Sequence, residues 1–161
     1  MRRTAFGLIL AVIQALSVGA AQMPKPALQL VLAPDKIEVV SGAEFQLSMR
    51  VVDLTQETVD CTRVIDNNHS IDVMYTYDIR TNDGNAVSSV YEKGPDESLG
   101  VRLCKLPPNQ SFETGIDHLM SAYDMKRPGV YSIQISRPDQ AHPGQMLGTS
   151  NVVTASVNAP Q

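Results

Sequence analysis

Tryptophan is absent from the 161-residue chain, cysteine occurs only twice, and no long apolar run follows residue 21. The missing apolar run predicts that the chain beyond residue 21 is soluble and has no membrane span. Basic residues are not in excess either, because residues 22–161 hold 11 Lys and Arg against 17 Asp and Glu, a net charge of −6. This balance argues against nucleic acid and anionic membranes as partners.

Catalytic motifs are missing as well. The chain contains no Gly-x-Ser-x-Gly sequence and no phosphate-binding loop. Asp117, His118 and Ser121 supply the residue types of a hydrolase triad, but a triad is defined by its geometry and not by residue types. The other two histidines, His69 and His142, lie in separate turn-like segments, without the spacing of a zinc site. We therefore predict a protein that is not an enzyme and that needs no cofactor and no metal.

The first 21 residues have the layout of a secretory signal peptide. Arg2 and Arg3 form a positive start, an apolar run covers residues 6–18, and small residues end at Ala21. The alternative is an uncleaved anchor, but the run is shorter than the ~20 apolar residues that span a bilayer. We predict cleavage near Ala21, a periplasmic or extracellular location, and a single domain over residues 22–161, a length typical of one domain.

Cys61 and Cys104 are the only cysteines of the chain. In an exported protein an even pair indicates a disulfide. Closing a loop of this length stabilises a fold by up to ~4 kcal/mol in the loop-entropy model. The alternative is a free catalytic thiol, but no histidine partner for it is evident in the sequence. The sequence therefore predicts a Cys61–Cys104 disulfide.

Alternation of apolar and polar residues dominates the chain beyond the leader. The sequence EFQLSMRVVDL places four apolar side chains on one face of a strand, namely Phe45, Leu47, Met49 and Val51. The run Asn82-Asp83-Gly84-Asn85 is a strong turn signal and predicts a hairpin. Residues 118–125 hold at most one helical turn. Short alternating runs separated by turns predict an all-β antiparallel sandwich of seven to nine strands.

Pro128-Gly129, followed by Tyr131 and the alternating Ile133 and Ile135, resembles the penultimate strand of immunoglobulin-like and fibronectin-III-like sandwiches. The resemblance implies an Ig-like sandwich from about residue 28 to residue 157. It also implies that the Tyr131 hydroxyl bonds to upstream backbone as a tyrosine corner. Without tryptophan, and with Ile133 where a core cysteine would stand, the chain is not an antibody-type domain.

The outline is also similar to small exported bacterial sandwich domains, including the family of the Ig-like bacterial proteinase inhibitor. The early strand EFQLSMRVVD and the hairpin YDIRTNDGN carry this similarity. We expect a secreted, non-enzymatic binding or accessory module that recognises a protein partner in the periplasm or extracellular space. A proteinase inhibitor of Ig-like fold is the alternative.

Loops on a rigid sandwich are the usual place for recognition, and two polar loops stand out. The candidate partner-binding residues are Asp66, Asn68, His69, Asp72, Glu92, Lys93, Asp96 and Glu97. In the first loop the spacing of the Asp and Asn residues is similar to the start of a calcium loop. Ile71 and Tyr77, however, stand where an EF-hand has Gly and Glu.

Overall fold

The structure is a computed structural model, and it describes residues 25–34, 38–44, 46–67, 71–90 and 99–160. The predicted signal peptide, residues 1–21, lies outside these ranges, as does Phe45. The described residues form thirteen strands and one helical turn. In chain order these are β1 Leu28–Pro34, β2 Glu38–Val40, β3 Leu47–Asp53, β4 Val59–Asp60, β5 Arg63–Asp66, β6 Ile71–Asp72, β7 Thr76–Thr81, β8 Leu99–Arg102, β9 Lys105–Leu106, β10 Ser111–Ile116, α1 Leu119–Ala122, β11 Gly129–Pro138, β12 Met146–Thr149 and β13 Val153–Asn158.

Two sheets form the sandwich. In the first, β3 lies between β1 and β10 and is antiparallel to both. In the second, β11 pairs with β7 along one edge. Along the other edge, the first half of β11 pairs with β13 and its end pairs with β12. The predicted all-β sandwich is confirmed, but the described residues hold thirteen strands instead of the predicted seven to nine, because several two-residue ladders add to the long strands. One pair departs from the antiparallel pattern, because β2 joins β13 in parallel.

The core lies between the two sheets and follows the predicted alternation. Leu47, Met49 and Val51 of β3 are buried, as are Ile133 and Ile135 of β11. Full burial of an aliphatic side chain of this size contributes roughly 1.5–3 kcal/mol. The one helical turn, α1, closes the core with Leu119 and agrees with the predicted single turn. No helix in the described ranges is long and apolar enough to cross a membrane.

The backbones of β1 and β12 approach each other closely at Gly148. A Cβ added to Gly148 would lie 2.4 Å from the Leu28 carbonyl oxygen, so only glycine allows this approach. Just after β12, the Asn151 side chain accepts a hydrogen bond from the Leu32 backbone N–H at 2.8 Å. It donates another to the Leu32 carbonyl at 3.1 Å. Asn151 thereby replaces a missing backbone partner and joins the two sheets.

The predicted turn after β7 is present. The Gly84 N–H donates to the Thr81 carbonyl at 2.9 Å, and the Thr81 N–H donates to the Asn85 carbonyl at 2.9 Å. Gly84 has a φ of +79°, a conformation that glycine adopts without steric cost. In the returning chain up to Val90, the structure shows an isolated Arg80–Ala86 bridge and a hydrogen bond of 2.8 Å from the Val87 N–H to the Ile79 carbonyl, and no second strand within residues 82–90.

Candidate functional site

Two residues of the first predicted recognition loop lie in buried strands and not in an exposed loop. Asp66 and Asp72 lie in β5 and β6 and are 0% and 5% exposed. The Asp72 carboxylate accepts hydrogen bonds from the Arg63 Nε at 2.8 Å and from the Met74 backbone N–H at 3.1 Å. These two aspartates are therefore buried in strands and not exposed in a loop as expected, and their role in partner binding stays a prediction. The carboxylate of Asp72 holds the local fold together, because a buried charge needs such partners.

The other predicted loop residues cannot be placed. Asn68 and His69 lie outside the described residues, and so do the four residues of the second loop, Glu92, Lys93, Asp96 and Glu97. Their role in recognition stays a prediction.

The triad residue types do not assemble at the helical turn. The Ser121 Oγ donates to the His118 backbone carbonyl at 2.7 Å, so its proton is engaged by the backbone and not by an imidazole. Among the described residues no group of three or more His, Cys, Asp or Glu side chains is arranged to hold a metal ion.

The disulfide between Cys61 and Cys104 is present, as predicted. It joins the ends of two short ladders: β4 pairs with β9, and β5 pairs with β6 and β8. The Cys61 N–H also donates to the Cys104 carbonyl at 3.1 Å. The disulfide therefore fixes the two segments that flank it, around Thr62 and Leu103.

Next to this disulfide lies an open cavity of about 470 Å³. The segment between β6 and β7, the end of β11 with the loop after it, and part of β12 complete its wall. Half of the lining residues are apolar, and one of these, Leu103, is 87% exposed. The lining residues are Asp60, Thr62, Met74, Leu103, Arg137, Pro138, Asp139, Gln140, Ala141 and Leu147. We call this the Arg137 cavity.

Arg137 is the unusual residue of the cavity. The alternation of β11 places it on the same buried face as Tyr131, Ile133 and Ile135, and it is only 3% exposed. Its Cζ lies 5.0 Å from the centre of the Tyr75 ring, a cation–π contact. The register of β11 shifts between Arg137 and Pro138, which is typical of a bulge that re-aims a side chain.

The guanidinium of Arg137 is poorly satisfied. Its Nη2 donates to the Thr62 carbonyl at 2.8 Å, whereas Nε and Nη1 are buried without any hydrogen-bond partner. Arginine carries five N–H donors and stays protonated in proteins. Buried polar groups without partners are rare, and each calls for a physical reason.

The two carboxylates of the cavity are already engaged elsewhere. Asp60 accepts hydrogen bonds from the Thr62 N–H at 2.8 Å and from the Lys105 Nζ at 2.9 Å. Hydrogen bonding with the Thr62 side chain, with Lys105 and with the Thr62 backbone lowers the pKa of the Asp60 carboxyl below the usual range. Asp139 lies 2.8 Å from His142 Nδ1, and this hydrogen bond lowers the pKa of Asp139. Neither carboxylate forms an ion pair with Arg137 in the part of the chain that the structure describes.

Sequence reasoning missed Arg137. The signal was available, because the period-two pattern of Tyr131, Ile133 and Ile135 continues to position 137, where an apolar residue would be expected. A charged residue at a core position of a strong strand is the mark of a special site.

Comparisons with known proteins identify no family. No family matches the sequence, and no curated protein matches it. Among solved structures, the CARDB domain of the PF1109 protein from Pyrococcus furiosus, in complex with di-metal ions, is similar over 84% of this chain and 96% of its own. Its TM-score is 0.45 and its sequence identity 13%.

A Pseudomonas fluorescens alkylpurine DNA glycosylase, AlkC, bound to DNA containing an abasic site analog, is similar over 84% of this chain and 31% of its own. Its TM-score is 0.46 and its identity 11%. Similarity at these levels carries no inference about ligand or activity. The resemblance to the Ig-like proteinase inhibitor family therefore stays a prediction.

Proposed function

We propose that the protein is a non-catalytic binding module that works outside the reducing cytoplasm and takes its ligand in the Arg137 cavity. The observation that carries this proposal is a buried arginine, with unpartnered Nε and Nη1, in the wall of an open cavity. The disulfide and the signal-like first 21 residues support an exported protein, since disulfides persist in oxidising compartments.

The cavity has the properties of a ligand site. Its volume of about 470 Å³ falls within the range of small-molecule sites, which is roughly 300–1,000 Å³. Such sites combine apolar walls with a few placed polar groups. Here Met74, Leu103 and Leu147 provide apolar surface, and Arg137 is the one cation among the polar lining residues.

The side chains of the cavity favour binding over catalysis. A nucleophile needs a general base within hydrogen-bond reach. The lining residues include no Ser, Cys, His or Lys side chain, and the one hydroxyl, Thr62 Oγ1, accepts a hydrogen bond from the Cys104 N–H at 3.4 Å. The two aspartates have their own hydrogen-bond partners. These features support a site that holds a ligand without changing it.

The proposal is tested by screening a fragment library of small acids, amines and neutral compounds against the ¹⁵N-labelled, oxidised protein. We expect fragments that shift the backbone amide resonances of Thr62, Leu103 and Gln140. Ala141→Phe places a ring in the cavity and should abolish these shifts. Val130→Phe, on an exposed residue at the opposite end of β11, is the matched control and should leave them unchanged. Fragments that bind Ala141→Phe and the unmodified protein equally would contradict the proposal, as would a library without any binder.

A further inference from the structure

We infer that the ligand of the Arg137 cavity carries a carboxylate group attached to an apolar body. This inference rests on the proposed function and names the chemical class that the cavity recognises. It is argued from the donors of Arg137, the other charges of the cavity and its apolar wall.

The unpaired N–H donors of the Arg137 guanidinium favour an anionic ligand. Only Nη2 has a hydrogen-bond partner, the Thr62 carbonyl, and it is neutral. Tyr75 interacts with the guanidinium through its ring face and its hydroxyl, but it is neutral, and Nε and Nη1 have no hydrogen-bond partner of good geometry. A buried guanidinium without a counter-charge is costly. A planar carboxylate matches the guanidinium fork and can accept two N–H groups at once.

The surrounding charges favour a single negative charge over a phosphate. Asp60 and Asp139 both line the cavity, and both are ionised at neutral pH. A dianionic phosphate would be repelled more strongly by them than a monoanionic carboxylate, because Coulomb energy scales with the product of charges. Arg137 therefore fits one carboxylate better than a group with two charges.

The apolar wall defines the rest of the ligand. Leu103 stands almost fully exposed beside the disulfide, and Met74 and Leu147 line the same space. Nε and Nη1 have essentially no exposed surface, so a side chain of the wall must move for the carboxylate to reach them. Met74 is the residue that we expect to move, since an unbranched thioether adapts easily.

Two kinds of ligand carry a carboxylate on an apolar body: a free organic acid, and the C-terminal residue of a protein chain. Isothermal titration calorimetry on the full oxidised protein distinguishes them with two probe pairs. The first pair is hexanoate and hexanamide. The second is a pentapeptide ending in leucine with a free α-carboxylate and the same peptide as its C-terminal amide. Hexyl phosphate tests the charge argument.

We expect at least one acid to bind roughly 10- to 100-fold more tightly than its amide, the effect of hydrogen bonds to a charged group. Arg137→Met should reduce that acid to the affinity of the amide. Arg102→Met, which removes an exposed arginine and changes the net charge equally, should leave the acid's affinity unchanged. Tighter binding of hexanoate than of the peptide acid identifies a free acid as the source. The reverse order identifies a chain terminus.

Misfolding does not account for the expected loss, because Arg137→Met replaces an unsatisfied charge with an apolar side chain and its thermal unfolding can be measured alongside. Arg137→Lys keeps the charge, loses the fork and should bind the acid with intermediate affinity. Equal binding of acid and amide, or tighter binding of hexyl phosphate than of hexanoate, would overturn the inference while the cavity remains a binding site. If no fragment and no acid binds, the proposed function fails together with it.

Discussion

The Tyr131 hydroxyl donates a hydrogen bond of 2.7 Å to the backbone carbonyl of Arg127. Tyr131 itself is only 3% exposed, and burial raises the pKa of its hydroxyl, which therefore remains a donor across the neutral range. The bond spans the turn that leads into β11 and fixes how this strand enters the core. It is the contact that the predicted tyrosine-corner role of Tyr131 requires.

Removal of this hydroxyl should destabilise the fold. Tyr131→Phe leaves the Arg127 carbonyl without its partner, and we expect the free energy of unfolding to fall by about 1–2 kcal/mol. Tyr123→Phe is the matched control, because the Tyr123 hydroxyl makes no hydrogen bond among the described residues. Urea denaturation of both variants measures the difference. Equal stabilities would show that the corner contact contributes nothing.

The disulfide should stabilise both the fold and the cavity. Cys61 and Cys104 are separated by 43 positions, and opening a loop of this length costs about 4 kcal/mol in the loop-entropy model. We expect the double variant Cys61→Ser/Cys104→Ser to lose about this much stability and to bind the cavity ligand more weakly, because Thr62 and Leu103 adjoin the two cysteines. Denaturation with and without dithiothreitol provides the comparison. A midpoint that does not respond to the reductant would contradict this prediction.

Gly148 should tolerate no side chain. The Cβ of an alanine would lie 2.4 Å from the Leu28 carbonyl oxygen, so β12 and β1 would have to separate. We expect Gly148→Ala to cost about 1–3 kcal/mol, the usual cost of overpacking. Gly115→Ala is the control, because its nearest contact would be an ordinary 3.6 Å, to the Asp117 side chain, and its effect should stay within about 0.5 kcal/mol. Similar melting temperatures for the two variants would rule out the close approach.

The Asp72 carboxylate should contribute to the stability of the fold and not to ligand binding. Asp72→Asn removes the charge that faces the largely buried Arg63, and breaking such a pair costs about 3 kcal/mol. The control is Asp78→Asn, whose pair with Arg80 is half exposed on both sides and should contribute less than about 1 kcal/mol. Chemical denaturation separates the two cases. If Asp72→Asn proved as stable as Asp78→Asn, the buried pair would have no structural role.

The long strands could be predicted from the sequence because their pattern is local. Leu47, Met49 and Val51 alternate with polar residues, and so do Tyr131, Ile133 and Ile135, which suffices to place one face of each strand in the core. The short ladders around Cys61 could not be predicted in this way. Strands of two residues, such as β4 and β9, have no period of their own and form because the disulfide and their neighbours bring them together.

The candidate site was harder to predict than the fold, because it depends on polar residues in apolar positions. Asp66 and Asp72 belong to a polar segment that is typical of a loop, yet both are buried. The Asp72 carboxylate is held by Arg63, nine residues before it, and by the Met74 N–H, contacts that no sequence pattern marks. Arg137 was overlooked because charged residues are usually assigned to the surface. Its place in the β11 alternation was visible, but its missing hydrogen-bond partners appear only in three dimensions.

The most direct test of the Arg137 site is to observe its side chain during binding. The Nε–H resonance of Arg137 can be assigned by comparing ¹H–¹⁵N spectra of the protein and of Arg137→Lys. On addition of whichever acid binds in the calorimetric series, we predict that this resonance shifts and exchanges more slowly with solvent, and that the matching amide leaves it unchanged. If the acid saturates the cavity and the Nε–H resonance does not move, Arg137 is not the group that recognises the ligand.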